Sequence, residues 1–196
     1  MRQEMAMNRK MNPDKIKTGI RLILEGIGED PNRNGLQGTP ERVAEMYQDL
    51  FQGVVGDLKK EFNTYPVENQ DEMILIRDVP FYSFCEHHLL PFWGTVSLAY
   101  IPNNNRIAGF STLIDVVEFF AKRPQIQERM TTQICDFLNE RLNPRGILVT
   151  IRAHHLCISM RGVKKEHSEP VTSAMRGYLR KQATRLEALM LLGNKV

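Results

Sequence analysis

Several things that would narrow the class of this protein are scarce or missing. Only three of its 196 residues are cysteine, at positions 85, 135 and 157. An odd, sparse set cannot build a disulfide framework and suits a reducing cytoplasm. No run of 18 apolar residues occurs, so no segment reads as a membrane span. The opening MRQEMAMNRKMNPDK lacks the apolar stretch of a secretory leader. An excess of one charge is lacking too. Lys and Arg total 26 against 23 Asp and Glu, a formal charge of +3, and the signs alternate along the helical stretches. That pattern is a solvated surface, not a basic stripe for nucleic acid. No repeat or low-complexity tract is present. What remains is ordinary: 42% hydrophobic and 25% charged residues describe a cytoplasmic globular chain able to bury a core of its own.

The hydrophobic period changes once along the chain. Residues 1–11 have no useful periodicity and are expected to be frayed. Asn12-Pro13 reads as a helix cap followed by a first-turn proline, with Ile16, Ile20, Ile23, Leu24 and Ile27 at helical spacing. Thr39-Pro40 starts a second helix. From about residue 73 the spacing becomes strand-like, in MILIRDV and then WGTVSLAYI at 93–101. Two helices are expected next, one over about 112–121 and one from Pro124 to Leu142. ILVTIRAH and LCISMRG read as a second strand pair, and 181–192 as a closing helix. The order predicts an α+β fold: a four-stranded antiparallel sheet with helices on one face. An N-terminal helical region (12–70) precedes the sheet domain (71–196).

The chemistry concentrates in Phe84-Cys85-Glu86-His87-His88. A thiolate and an imidazole three residues apart can reach one tetrahedral metal, but two ligands rarely hold zinc alone. A third stands in His154-His155-Leu156-Cys157. Two Cys and one His (Cys85, His88 and Cys157) leave a fourth position for water, the arrangement of a catalytic site. Zinc there would bring the water's pKa toward neutrality. Taken singly, each of these residues reads better as part of a core; two clusters at matching strand ends reverse that balance, while Cys135 beside Ile134 keeps the core reading. In Arg123-Pro124-Gln125-Ile126-Gln127-Glu128-Arg129, Gln127 and Glu128 could face an amide–amidine edge such as guanine's. The plain alternative is first-turn polarity of a helix. Arg161 in Met160-Arg161-Gly162-Val163-Lys164-Lys165 is either a phosphate ligand or a solvated turn residue.

These stretches resemble the GTP cyclohydrolase I family. The likeness also takes in Asp30-Pro31, Thr39-Pro40-Glu41-Arg42-Val43-Ala44, Pro80-Phe81-Tyr82-Ser83, Ala99-Tyr100-Ile101-Pro102 and Thr172-Ser173, in one register over roughly 13–192. The resemblance implies the tunnelling fold, with subunit sheets joined edge to edge in rings and two rings stacked as a homodecamer whose active sites lie between subunits. It implies zinc on Cys85, His88 and Cys157, proton transfer by His87 and His155, and guanine contacts from Gln127 and Glu128. Ser111, Arg161 and Arg42 match positions near the ribose and triphosphate. The implied reaction opens a purine at C8, releases formate and recloses the ring as 7,8-dihydroneopterin triphosphate.

The departures from the family pattern are local. Where the typical enzyme has lysine, arginine and lysine, this chain has Thr112, Asp115 and Glu45, and Arg152 replaces an acidic residue. Thr112-x-x-Asp115 also has the form of a capping box, which would place a carboxylate in the field of a helix N-terminus. Two other readings therefore stand beside an ordinary cyclohydrolase. One is a paralogue acting on a purine with little or no phosphate; the other is a non-catalytic interaction subunit.

Overall fold

The computed structural model describes residues 10–58 and 62–193. They fall into two compact units, Met1–Gly56 and Asp57–Val196. The expectation for residues 1–11 lies outside the described residues except at Lys10 and Met11. Among the described residues no helix is long and apolar enough to cross a membrane.

The first unit is helical: α1 (Pro13–Gly26) packs on α2 (Thr39–Leu50), and a single turn, α3 (Gln52–Val55), follows. Asn12 caps α1 as its sequence predicts, its Oδ1 accepting the Lys15 N–H at 3.0 Å with Pro13 in the first turn. The Arg42 guanidinium is held locally, donating to Thr39 Oγ1 at 2.7 Å and Gln37 O at 3.4 Å.

The second unit is built on a five-stranded sheet in the order β5-β2-β3-β6-β7. Its strands are β2 (Ile74–Cys85), β3 (Pro91–Ile101), β5 (Pro124–Gln125), β6 (Gly146–His155) and β7 (Val171–Gly177). Four pair antiparallel with their neighbours, as expected; β5 adds two residues parallel to β2. A separate two-stranded ribbon pairs β1 (Thr64–Pro66) with β4 (Arg106–Ala108). Helices α4 (Phe110–Ala121), α5 (Gln127–Leu142), the single turn α6 (Leu156–Ser159) and α7 (Gln182–Leu191) complete the unit.

Side chains alternate across the sheet, so its two faces can be read from the register. Phe92, Val96 and Leu98 of β3 and Ile147, Val149 and Ile151 of β6 form the main core with Val116 of α4 and Met130 and Ile134 of α5. The other face is not bare of helix, as the expected one-sided arrangement has it. Ala99 and Leu148 meet Ala188 of α7 and Leu192 there. Past α7 that face turns polar, with Arg152 paired to Asp78 at 3.4 Å.

A β-bulge decides which face β2 presents. Ile76 pairs with Leu98 but Val79 pairs with Val96, so Arg77 and Asp78 together oppose Ser97. Asp78 takes φ 55 and donates its N–H to Ser97 Oγ at 3.0 Å. The extra residue switches parity. Ile74 and Ile76 pack on the main core before it; Val79, Phe81 and Cys85 do so after it.

Three elements differ from their sequence patterns. Pro124-Gln125 does not start a helix, because it pairs with Phe84-Cys85; α5 begins at Gln127. The expected strand LCISMRG is instead the turn α6, closed by Met160 N–H on Leu156 O at 3.0 Å, and the partner of β6 is Val171–Gly177. The capping box at Thr112 does not form: α4 starts at Phe110 behind Gly109, with no side-chain cap.

Gly94 has no room for a side chain, since a Cβ would lie 1.9 Å from Arg152 O and 2.6 Å from Ala153 Cα. Gly94→Ala should therefore force β3 from β6 and cost about 3 kcal/mol. For a chain this size that lowers the thermal midpoint by about 10 °C. An unchanged midpoint in a melting scan would show that the strands have slack.

Candidate metal centre

The centre lies where β2 and β6 end on the same side of the sheet. β2 stops at Cys85, and a tight turn reverses the chain into β3. Leu89 donates its N–H to Cys85 O at 2.8 Å, Cys85 donates to Leu90 O at 2.9 Å, and Leu89 adopts φ 52. The turn carries His87 and His88 at its exposed rim. Two strands away, β6 stops at His155, which lies opposite Phe92. The α6 turn then swings Cys157 back toward Cys85. Donor atoms of Cys85, His88 and Cys157 lie within 4.8 Å of one another.

This donor set suits a metal of zinc's kind. Zinc takes thiolate sulfur at about 2.3 Å and imidazole nitrogen at about 2.0 Å in a tetrahedron. That geometry places neighbouring donors between about 3 and 4 Å apart, close to the spread of at most 4.8 Å among the donors here. Soft thiolates also exclude magnesium and calcium as natural occupants. Three protein donors leave one coordination position open.

Around the donors, the sequence-predicted residues divide. His87 Nδ1 stands 3.8 Å from Cys85 Sγ. The His155 ring stacks flat on Phe92, with centroids 4.6 Å apart and planes 2° from parallel. Its Nε2 lies 2.7 Å from Gln127 Oε1. Burial pushes the His155 imidazole below its ordinary range, and the Glu128 carboxylate draws it partly back. Burial and the adjacent Cys85 push the Cys157 thiol up, and Arg161 opposes them. Glu128 and Arg161 thus sit within electrostatic reach of the centre, and both are exposed.

Other predicted residues lie elsewhere or are otherwise engaged. Gln127 is buried and its amide is bonded wholly within the protein. Ser111 is exposed in the first turn of α4; among the described residues no hydrogen bond joins it to the donors. Arg42 belongs to the first unit. Arg152 leaves β6 on the face opposite His155, where it pairs with Asp78 at 3.4 Å. Cys135 is a core residue of α5, its thiol pushed up to about 11 by burial.

Two supports of the centre lay inside motifs whose separate roles the spacing did not reveal. Arg129 forms an ion pair with Glu86, between Cys85 and His87, and holds that carboxyl below its ordinary range. Arg129 Nε also donates to Gln125 Oε1 at 3.1 Å, and Gln125 Nε2 donates to Phe120 O at 2.9 Å and Gln133 Oε1 at 3.0 Å. The main chain repeats the link, Glu86 N–H donating to Gln125 O at 3.0 Å. The metal turn is thereby tied to the head of α5. Only the tertiary pairing of Pro124-Gln125 with β2 makes this visible.

An open two-thiolate, one-imidazole set beside a histidine held in place is the equipment of a metal-dependent hydrolase. The comparisons with known proteins agree in kind. The sequence model of GTP cyclohydrolase I matches residues 16–193. GTP cyclohydrolase 1 of Carboxydothermus hydrogenoformans is 52% identical over 186 residues, covering 94% of this chain and 97% of that protein. The enzyme of the same name from Pelotomaculum thermopropionicum is 53% identical over 179 residues, 91% of this chain and 95% of its own. That from Bacillus subtilis is 47% identical over 175 residues, 89% and 92%. The chain belongs to the GTP cyclohydrolase I family.

If the three donors act together, the wild type should carry one tightly bound metal per chain and Cys157→Ala should carry almost none. Metal analysis after dialysis against a weak chelator reads this directly. Full metal in the variant would remove Cys157 from the ligand set.

Proposed function

We propose that the protein is a zinc-dependent GTP cyclohydrolase I, opening the purine imidazole ring at C8 with formate and 7,8-dihydroneopterin triphosphate as products. The observation that carries the reading is convergence. Cys85, His88 and Cys157 meet at the sheet end that also holds His155, in a chain matched to the family from residue 16 to 193. Zinc bound there supplies a Lewis acid and an acidified water for hydrolysis at a carbon between two nitrogens.

The chain's own residues supply the rest. His155, packed on Phe92, is placed to exchange protons with the five-membered ring. His87, at the rim beside Cys85, is the second member of the proton-transfer pair in this reading. The exposed Glu128 carboxylate offers two acceptors to the parallel N–H groups of a guanine edge. Arg161 attracts phosphate and lies close enough to act on Cys157. Ser111 and Arg42 take the remaining contacts to ribose and triphosphate. The thiolate donors suit a reducing cytoplasm.

The assembly is proposed to be a homodecamer with active sites at subunit boundaries. Among the described residues β7 borders the sheet with no further strand, an edge that a second copy can cover. Sedimentation at micromolar concentration should show a large homo-oligomer; a monodisperse monomer overturns it.

The substrate is tested by offering GTP, guanosine and free purine bases separately to the metal-loaded protein and following the ultraviolet spectrum. GTP should be consumed with formate release. Preference for guanosine would favour the paralogue reading, in which Glu45, Thr112 and Asp115 stand where triphosphate ligands would be basic. His87→Ala and His155→Ala should retain their metal yet lose about 10²–10⁴-fold in turnover. Activity within a fewfold of wild type in both would return these histidines to a structural role.

A further inference from the structure

We infer that Gln127 is a positioning residue for His155, holding the neutral imidazole as the tautomer protonated on Nε2 and leaving Nδ1 as its basic nitrogen. The inference rests on counting protons around one buried amide, which is 3% exposed. Gln127 Nε2 has three neighbours: Ile151 O at 3.1 Å, Pro170 O at 3.0 Å and Thr172 Oγ1 at 3.2 Å. The two carbonyls can only accept.

The hydroxyl is forced into the same role. Thr131 Oγ1 lies 2.7 Å from Gln127 O, to which it must donate, because a carbonyl has no proton. It also lies 2.6 Å from Thr172 Oγ1. Having given its one proton to Gln127 O, Thr131 must accept the proton of Thr172. Thr172 is then left only to accept from Gln127. All three neighbours of that amide atom are acceptors, so the atom is nitrogen. A flipped amide would set its oxygen against two carbonyl oxygens and a hydroxyl with no proton to offer.

With the amide oriented, its oxygen faces His155 Nε2 at 2.7 Å. An amide oxygen only accepts, so the ring nitrogen must donate and the neutral ring carries its proton on Nε2. Among the described residues no hydrogen bond reaches Nδ1. Phe92 fixes the remaining freedom by stacking parallel on the ring. Rotation about the bond to the ring would break both contacts at once. The tautomer is therefore set by Gln127 and the acceptors around its amide, Ile151 O, Pro170 O and Thr172 Oγ1, while Phe92 holds the plane of the ring.

The assignment separates two roles for Gln127 that the sequence motif leaves merged. A guanine contact would govern binding and base preference. A positioning residue governs the rate of proton transfer and leaves both untouched. The kinetic test rests on the cyclohydrolase reading; the spectroscopic one does not.

Metal-loaded protein labelled with ¹⁵N and ¹³C in histidine is examined by magic-angle-spinning NMR, with the His155→Asn spectrum assigning the resonance. His155 should show its neutral-state proton on Nε2; a proton on Nδ1 overturns the inference whether or not GTP is a substrate. In parallel, Gln127→Met, similar in volume but with no acceptor, is compared with wild type on GTP and on inosine triphosphate, which lacks the 2-amino group. The expected result is about a 10–100-fold fall in kcat, with KM and the ratio between the two nucleotides unchanged and the metal retained. A rise in KM with collapse of that ratio would make Gln127 a base contact and overturn the positioning role. If the variant does not fold, the wild-type spectrum still decides. Failure of the wild type to turn over GTP would sink the proposed function and leave the spectrum to judge the tautomer.

Discussion

Strand β3 pairs along its length with β2 on one side and β6 on the other, and the place of every donor follows from those two registers. Alternation has a period of two, so a slip of one residue would exchange the faces of a whole strand. Slipping β6 by one would put His154 where His155 stacks on Phe92 and would carry Cys157 away from Cys85. Two local devices pin the registers. Gly94 lets β3 and β6 approach closer than any side chain allows. The bulge at Arg77-Asp78 re-phases β2 so that Cys85 joins His155 on the helix-covered face. Left-handed backbone at Asp78 is uncommon for a residue with a side chain, and the Ser97 hydroxyl meets its N–H.

The head of α5 then joins the two halves of the centre. Residues in its first turn reach in different directions: Gln127 inward to His155, Arg129 outward to Glu86 in the metal turn. The outward link is partly exposed and ionic, so its value lies in fixing geometry more than in stability. The inward link is buried and neutral, which avoids the desolvation cost of an ion pair at that depth. Ile151 O, Pro170 O and Thr172 Oγ1 surround the amide nitrogen, and Thr131 fixes the Thr172 hydroxyl. A buried polar group with all its partners is rigid, and that rigidity holds the His155 ring in one orientation.

How much of this could be read from the sequence depended on whether the signal was local. The Asn12-Pro13 cap, the second helix at Thr39 and the α+β order are local patterns, and the structure has them. The three donors were legible because Cys and His at strand ends are rare and chemically specific. Elements decided by distant pairing were not. Pro124-Gln125 looks like a helix start until β2 lies beside it, and Leu156–Ser159 looks like a strand until the chain must turn to carry Cys157 back. Gln127 was singled out for the right chemistry, an amide able to accept and donate. Its partners come from Ile151, Pro170 and Thr172, far along the chain, and no spacing rule reports them. The bulge was hidden for the same reason, since Arg77 and Asp78 leave the alternation only in relation to β3.

The division of the donors between two distant strands has a consequence for how the protein is made. A chain emerging residue by residue presents Cys85 and His88 long before Cys157. Two such donors on a loose turn hold zinc weakly. The third arrives only after β6 has docked on β3 and α6 has closed. A metal held by all three donors would therefore depend on the completed sheet, unlike the ion that folds a small zinc domain. Were the unfolded chain to compete poorly for such an ion, nearly the full binding free energy would fall to the native state, and loss of metal would report damage anywhere in the β2–β3–β6 register.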